Sequence, residues 1–393
     1  MTDFLNRGLA LVVACVICAA CSTHARPESE AAFKRGNTLR VAVLPAVNMT
    51  GHPVPIKEMR QALIRGLVEQ GIAVLDEEDL ERFMAQHRVR YTGGIDAVTA
   101  QAFKKEAGID AVFITTLERY TDTNPPSLAL FCRLVATGDP PVILWMETAG
   151  LSGDEAPGLL GLGLIGDIVG LQAKAIGRLT ASIGDFLARG GGTEPSGGEG
   201  RFEPKTAYSS SFLRTDRKYA IAVAPFLNRS DQNEADTFLA LHFIDQLAKV
   251  GRFEVIDPGA VREQFLFFRM IMQEGLSRRD ADLIHASLQA DLILTGKVAE
   301  YQDVGGNPTV AFNVLLFERQ RKKVVWESWS YNQGDDGVFF FDWGRITSAS
   351  VLASKMAQAV VQDMTGLGTI KEGQPPEEQS SPWENMLDDV PAR

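Results

Sequence analysis

The sequence predicts an α/β protein built from two tandem copies of a β-α-β-α-β-β-β-α unit, each a mixed sheet packed with helices. Three observations predict it. The stretch "VAVLPAVNMT" at 41–50 returns as "IAVAPFLNRS" at 221–230, 180 residues later. The stretch "AGIDAVFITTLERY" at 107–120 returns as "LQADLILTGKVAEY" at 288–301, at an offset of 181. Around both, apolar patterns of helical and strand period follow one another in the same order in each half.

The first strand is expected at 39–47 and again at 219–227. Each run meets a proline, Pro45 or Pro225, then Asn48 or Asn228 and a hydroxyl residue, which is turn chemistry. A helix follows. In the second copy Leu239, Phe243, Ile244 and Leu247 share one face and Gly251 ends it; in the first, Met59, Leu63 and Leu67 do the same before Gly71. A second strand ends in Asp in both copies, "IAVLD" at 72–76 and "FEVID" at 253–257. A second helical region leads into a buried strand, in which Asp110 aligns with Asp291 and Tyr120 with Tyr301. Two more strands follow. "TVAFNVLLF" at 309–317 alternates Val310, Phe312, Val314 and Leu316 on one face, and "VILWMET" matches "VVWESWS" with Trp145 on Trp326. A closing helix carries Asp185 in one copy and Asp363 in the other. Strand–helix alternation requires parallel pairing and consecutive late strands an antiparallel meander, so each sheet is mixed.

The copies occupy 39–188 and 218–364 in this reading. Residues 21–38 form a polar tether, 189–217 a flexible linker rich in Gly, Ser and Pro, and 365–393 a disordered acidic tail with little to bury. Residues 1–20 read as a signal peptide. The apolar run "GLALVVACVICAA" at 8–20 is only 13 residues long, short of the ~20 that span a bilayer. It ends in Ala19 and Ala20 before Cys21, which resembles a bacterial lipobox, although Cys18 stands where that pattern has an aliphatic residue. The resemblance implies that Cys21 is lipidated and becomes the mature N-terminus. Ser22, rather than Asp, follows it; by resemblance to Gram-negative lipoproteins, this implies the periplasmic face of the outer membrane.

The four cysteines are 15, 18, 21 and 132, so a processed chain keeps one spare thiol. That excludes a disulfide framework and a cysteine metal site, and Cys132, inside "LALFCRLV", reads as a small buried hydrophobe. The five histidines, at 24, 52, 87, 242 and 285, contain no pair at ligand spacing, so no metal is expected. A net charge of −11 without a basic cluster argues against nucleic acid, which is bound through phosphate neutralisation.

The order of the elements, the openings "VAVLPAVN" and "IAVAPFLN", "FEVIDP", "ADLILTGKVAEY" and "KKVVWES" together resemble the CsgG/LpoB/TolB-amino-terminal-like group of periplasmic domains. The second copy fits better; the first departs at Glu77, where the second has Pro258. The resemblance implies secretion channels, polysaccharide-export lipoproteins and cell-wall synthase activators, which act by assembly or contact and need no catalytic residue.

Candidate chemistry is sparse. "GLGLIG" at 161–166 is a literal G-x-G-x-x-G, with Asp185 19 residues beyond Gly166, but an acid pair and Pro157 precede it where a dinucleotide site needs a strand. The same apolar stretch, 158–176, contains Asp167 and Lys174, so interfacial or protein contact is expected rather than insertion. Asp110 and Asp291 occupy matching strand starts and read as turn caps, not acid catalysts. "GVFFFDWGRI" at 337–346 gathers Phe339, Phe340, Phe341 and Trp343. Aromatics of this kind supply contact hot spots, but covering a sheet edge explains them more simply. Late in the tail, Trp383, Met386 and Leu387 would share a face if the segment became helical, giving a second candidate contact.

The reading is a lipid-anchored envelope protein, not an enzyme, that acts without cofactors as an assembly or regulatory factor through contacts with other envelope proteins. The first alternative is a component of a secretion or export ring, and hence a homo-oligomer. A weaker one is a small-ligand module using the cleft between the copies.

Overall fold

The computed structural model describes residues 38–153, 164–190, 200–210, 217–304, 306–338 and 344–366. They form two mixed sheets with eight helices, the α/β architecture expected.

The first half opens with β1 (Arg40–Val43) and β2 (Val47–Asn48). The single strand expected at 39–47 is thus two, because Pro45 has no N–H to give a ladder. Helix α1 (Ile56–Glu69) buries Met59, Leu63 and Leu67, the face expected from their spacing. Strand β3 (Ala73–Val74) is shorter than expected, because Asp76 leaves it to cap α2 (Glu77–Gln86), accepting the Glu78 N–H at 2.9 Å. The second helical region continues as α3 (Ala97–Glu106). Strands β4 (Ala111–Thr121), β5 (Ser127–Ala136) and β6 (Ile143–Ser152) form the meander, and α4 (Ile168–Ala188) closes the unit. The sheet order is β3-β1-β4-β5-β6 with β2 on β4; pairs within β1–β4 are parallel and the rest antiparallel.

Residues 200–210, expected within a flexible linker, are instead ordered. Gly200–Phe202 forms a 3-10 turn that buries Phe202, and β7 (Thr206–Ser209) pairs antiparallel with the last strand of the second sheet. An edge strand with a buried phenylalanine has its own hydrogen bonds and apolar anchor, which the Gly-rich composition around it conceals.

The second half then repeats the series: β8 (Tyr219–Val223), β9 (Leu227–Asn228), α5 (Ala235–Lys249), β10 (Phe253–Val255), α6 (Pro258–Phe267), α7 (Arg278–Leu288), β11 (Leu292–Val304), β12 (Asn307–Glu318), β13 (Lys323–Gln333) and α8 (Ala349–Met364). Its sheet order is β10-β8-β11-β12-β13-β7, with β9 on β11.

The match extends to single hydrogen bonds. Asn48 Oδ1 accepts the Thr50 N–H at 3.0 Å, and Asn228 Oδ1 the Ser230 N–H at 2.9 Å. Asp110 Oδ2 accepts the Arg40 N–H at 2.9 Å, and Asp291 Oδ2 the Ala220 N–H at 3.0 Å. Both aspartates therefore join the start of one strand to the next. The β4 ladder bulges between Leu117 and Arg119, and β11 bulges between Val298 and Glu300.

One departure is explained directly. Arg60 is buried on α1, donating to the Val43 carbonyl and pairing with Glu77 at 2.6 Å. The position 180 residues on is Ala240, so Pro258 stands where no arginine needs a carboxylate, at the helix start where proline fits.

The halves stack. One face of the first sheet packs on α1 and α4, a core drawn only from that half. On its opposite face α2 and α3 lie beside β1 and β4, while α5 and α8 of the second half pack on β6. The other side of α5 and α8 covers the second sheet, so this helix layer lies between two sheets and one apolar cluster runs through both halves. Helices α6 and α7 close the far side with a smaller core.

Candidate functional site: the polar seam between the halves

Most residues singled out from the sequence lie outside the described residues. These are Cys21, Phe339, Phe340, Phe341, Trp343, Trp383, Met386 and Leu387, and also Gly161 and Gly163 of "GLGLIG". Asp167 caps α4 by accepting the Gly170 N–H at 2.7 Å, and Asp185 is exposed within that helix, away from any strand tip. Among the described residues no helix is long and apolar enough to cross a membrane, and no cluster of potential metal ligands occurs. Cys132 is buried, and burial pushes its thiol up to about 12.

The polar chemistry of the described residues is concentrated where the halves meet. Glu118 is the extra residue at the β4 bulge, a device that re-aims side chains. Its carboxylate accepts the Tyr301 hydroxyl and the Ser350 hydroxyl, each at 2.6 Å, from β11 and α8 of the other half. Burial holds Glu118 up to about 7, against the lowering effect of those two donors. His242, on α5, lies 3.4 Å from Ser350 Oγ and 3.9 Å from Glu118. Burial and the Lys249 charge lower it to about 3, so it is neutral and forms no ion pair with Glu118. Arg119 pairs with Asp303 beside this cluster, and Asp303 accepts the Ala349 N–H at the start of α8.

A second cluster joins β5 to the start of α6. Arg133 donates through Nε to Asp257 Oδ2 at 2.9 Å and through Nη2 to the Gly93 carbonyl at 2.5 Å; both side chains are 0% exposed. Asp257 Oδ1 accepts the Ile95 N–H at 2.9 Å and the Gly259 N–H at 2.8 Å, so one carboxylate caps α6 and grips the first half. The backbones meet here too: the Asp257 N–H donates to the Pro141 carbonyl at 2.9 Å, and Val142 bridges Ile256. Gly94 and Gly259 face each other so closely that a Cβ on Gly94 would lie 2.6 Å from the Gly259 nitrogen. A third group lies on α5, where Lys249 reaches Asp245 at 3.0 Å and Glu147 of β6 at 3.3 Å. Burial raises Asp245, and the two carboxylates hold Lys249 up against the opposing effect of its own burial.

Ser350, His242 and Glu118 are the residue types of a nucleophile, base and orienting acid, but their arrangement is different. Ser350 donates to the carboxylate rather than to the imidazole, and all three are buried where no substrate carbonyl reaches them. What the arrangement does is hold two bodies together in one register. These side chains lie between the copies, where the weaker alternative places a ligand cleft.

Sequence reading missed the seam, although one signal was in view. Arg133 interrupts the apolar run "LALFCRLV", and the residue at its ladder position in the second half is Leu315. A charge inside a central strand needs a partner, and the partner lies 124 residues away.

No protein-family model matches the chain, and a search of curated proteins found no match. Among solved structures, a PelC dodecamer from Paraburkholderia phytofirmans is similar at 16% identity and a TM-score of 0.26, covering 39% of this chain and 98% of that one. The hypothetical protein CT253 from Chlamydia trachomatis is similar at 14% identity and a TM-score of 0.29, covering 39% and 99%. The LpoB C-terminal domain from Escherichia coli is similar at 16% identity and a TM-score of 0.22, covering 29% and 82%.

Proposed function

We propose that this protein is a lipid-anchored envelope scaffold, two copies of one unit locked into a single body, that works by contact with other envelope proteins and not by catalysis. The observation that carries the reading is the seam. Charged side chains that could do chemistry, Glu118, Arg133, Asp257 and Lys249, are spent on fixing one half against the other. The Ala19-Ala20-Cys21 sequence supplies the anchor. Export-ring assembly is the second reading, favoured by the head-to-tail way in which the helices of one half seat on the sheet of the other. A ring built on that contact would use other pairings, because where α5 presents His242, Asp245 and Lys249 the outward face of α1 carries Ala62 and the exposed Arg65 and Glu69.

Metabolic labelling with a palmitate analogue tests the anchor. Wild type is expected to be labelled and to fractionate with membranes, and Cys21→Ser to lose both properties. Native mass measurement in detergent separates the readings: a monomer supports the scaffold, a closed ring the exporter. Equal labelling of both proteins would sink the anchored scaffold.

A further inference from the structure

The described surface carries one group of large apolar side chains that the fold does not explain. At the end of α6 and in the turn after it, Leu266 is 60% exposed, Phe267 75% and Ile271 78%, with Phe268 beside them. Phe267 and Phe268 meet edge to face at 5.0 Å.

The first half is an internal control. Helices α2 and α6 end in the same way. Arg88 and Arg269 both take a left-handed backbone, φ 53° and 51°, and the three hydrogen bonds that close each turn match at an offset of 181. Where the second half has Leu266, Phe267 and Ile271, the first has Ala85, Gln86 and Arg90. The turn therefore needs no large apolar residue at these positions. Burial does not explain them either, and such a cluster marks a contact.

The surroundings define what fits. Four arginines, Arg262, Arg269, Arg278 and Arg279, are exposed close by in sequence against two exposed carboxylates, Glu274 and Asp282, and Arg262 is stacked on Tyr91. An occupant should be a short segment with a few large apolar side chains flanked by carboxylates. The chain contains one, "SPWENMLDD" at 381–389, where Trp383, Met386 and Leu387 stand among Glu384, Asp388 and Asp389. Trp383 lies seventeen residues beyond Gly366, which ends the described part of the second half. Extended, that length of chain reaches ~55–60 Å. A domain of about 150 residues has a radius of gyration of only ~15 Å. A short tether gives an effective concentration in the millimolar range, so even weak docking is populated.

We infer that residues 381–389 dock in cis on the Leu266–Phe267–Ile271 surface, Trp383, Met386 and Leu387 covering it and the acidic residues facing the arginines. This inference stands whether or not Cys21 is lipidated.

Disulfide trapping tests it on a chain begun at Ser22, in which buried Cys132 is the only native thiol. The pair Ile271→Cys/Leu387→Cys is expected to close within one chain at least tenfold faster than the control pair Lys57→Cys/Leu387→Cys. Adding Phe267→Glu should remove that advantage while leaving the melting temperature unchanged, since the side chain is exposed. Equal rates for the two pairs overturn the proposal. Crosslinks only between chains overturn it in favour of a second copy. Flotation of the full chain with phosphatidylglycerol vesicles that depends on Phe267 and is as strong with the tail as without it overturns it in favour of a lipid surface.

Discussion

Arg133 of the first half and Asp257 of the second form an ion pair at 2.9 Å in which neither side chain is exposed to solvent. Each also binds backbone of the first half: Arg133 the Gly93 carbonyl within its own half, and Asp257 the Ile95 N–H across the seam.

Breaking such a pair leaves a buried charge without its counterpart, which costs about 3–5 kcal/mol. Arg133→Met and Asp257→Asn should each lower the unfolding free energy by that order in a urea titration. The double variant should lose clearly less than the sum, because no stranded charge remains. Additive losses would mean that the two residues act separately.

Gly94 tests the close approach of the backbones. Its added Cβ would meet the Gly259 nitrogen at 2.6 Å and Asp257 Oδ1 at 2.7 Å, and a backbone atom pinned in a helix cap cannot give way. Gly94→Ala should open the seam, seen as proteolysis between the halves and a lower melting temperature. Gly177→Ala is the control: it lies within α4 with nothing within 4 Å, so it should be neutral or stabilising by roughly 0.5–1 kcal/mol. A tolerated Gly94→Ala would refute the tight seam.

Glu118 and His242 set opposite pH dependences. Glu118 is held up to about 7 in the fold, so its contribution is complete below the ordinary value near 4.5 and is lost as pH rises through 7. His242 is lowered to about 3, so its contribution is complete above 6.5 and is lost as pH falls toward 3. A shift of that size at Glu118 is worth on the order of 3 kcal/mol. The His242 rise offsets the Glu118 decline up to about pH 6.5, so thermal stability of the wild type should decline chiefly between about pH 6.5 and 8, and Glu118→Gln should lose most of that decline. The other groups facing Glu118 are Tyr301, held far above its usual range, Ser350, Arg119 and Asp303. An unchanged pH profile in the variant would assign the decline to Asp245 or Asp303, both of which burial also raises.

Arg60 and Glu77 predict a weak coupling. The Glu77 side chain is 57% exposed, so water screens the pair, and Arg60 matters mainly because it satisfies the Val43 carbonyl. Glu77→Pro places proline in the first turn of α2, as Pro258 already stands in α6, and should cost little. Arg60→Ala should cost about 1–3 kcal/mol, the scale of an unpaired buried acceptor. A coupling energy above about 1 kcal/mol in the double-mutant cycle would show that the ion pair dominates.

The order of elements was legible because its signals are local. Met59, Leu63 and Leu67 recur every four residues, and Asn48-x-Thr50 carries its turn in three. The break at Pro45 was not foreseen, although the missing N–H that causes it is in plain sight within the run expected as one strand. Nor was the seam. Glu118 looks like any strand glutamate until the bulge turns it, and Asp257 reads as a strand end until Arg133 arrives from a distant strand. Strand β7 was hidden for a different reason: four residues of pairing are too short to stand out from a Gly-rich neighbourhood. The Leu266–Ile271 surface was missed because "FLFFRMIM" has the look of a core, and only the matching turn in the first half shows that burial is not required.

The layer of α5 and α8 between two sheets has a bearing on biogenesis. A chain is made from its N-terminus, so β4 to β6 exist before the helices that cover them. Until residues near 350 have been added, Glu118 lacks Ser350 and Arg133 has waited some 120 residues for Asp257. A first half that emerges first, from synthesis or from export, therefore exposes an apolar sheet face until most of the second has followed it.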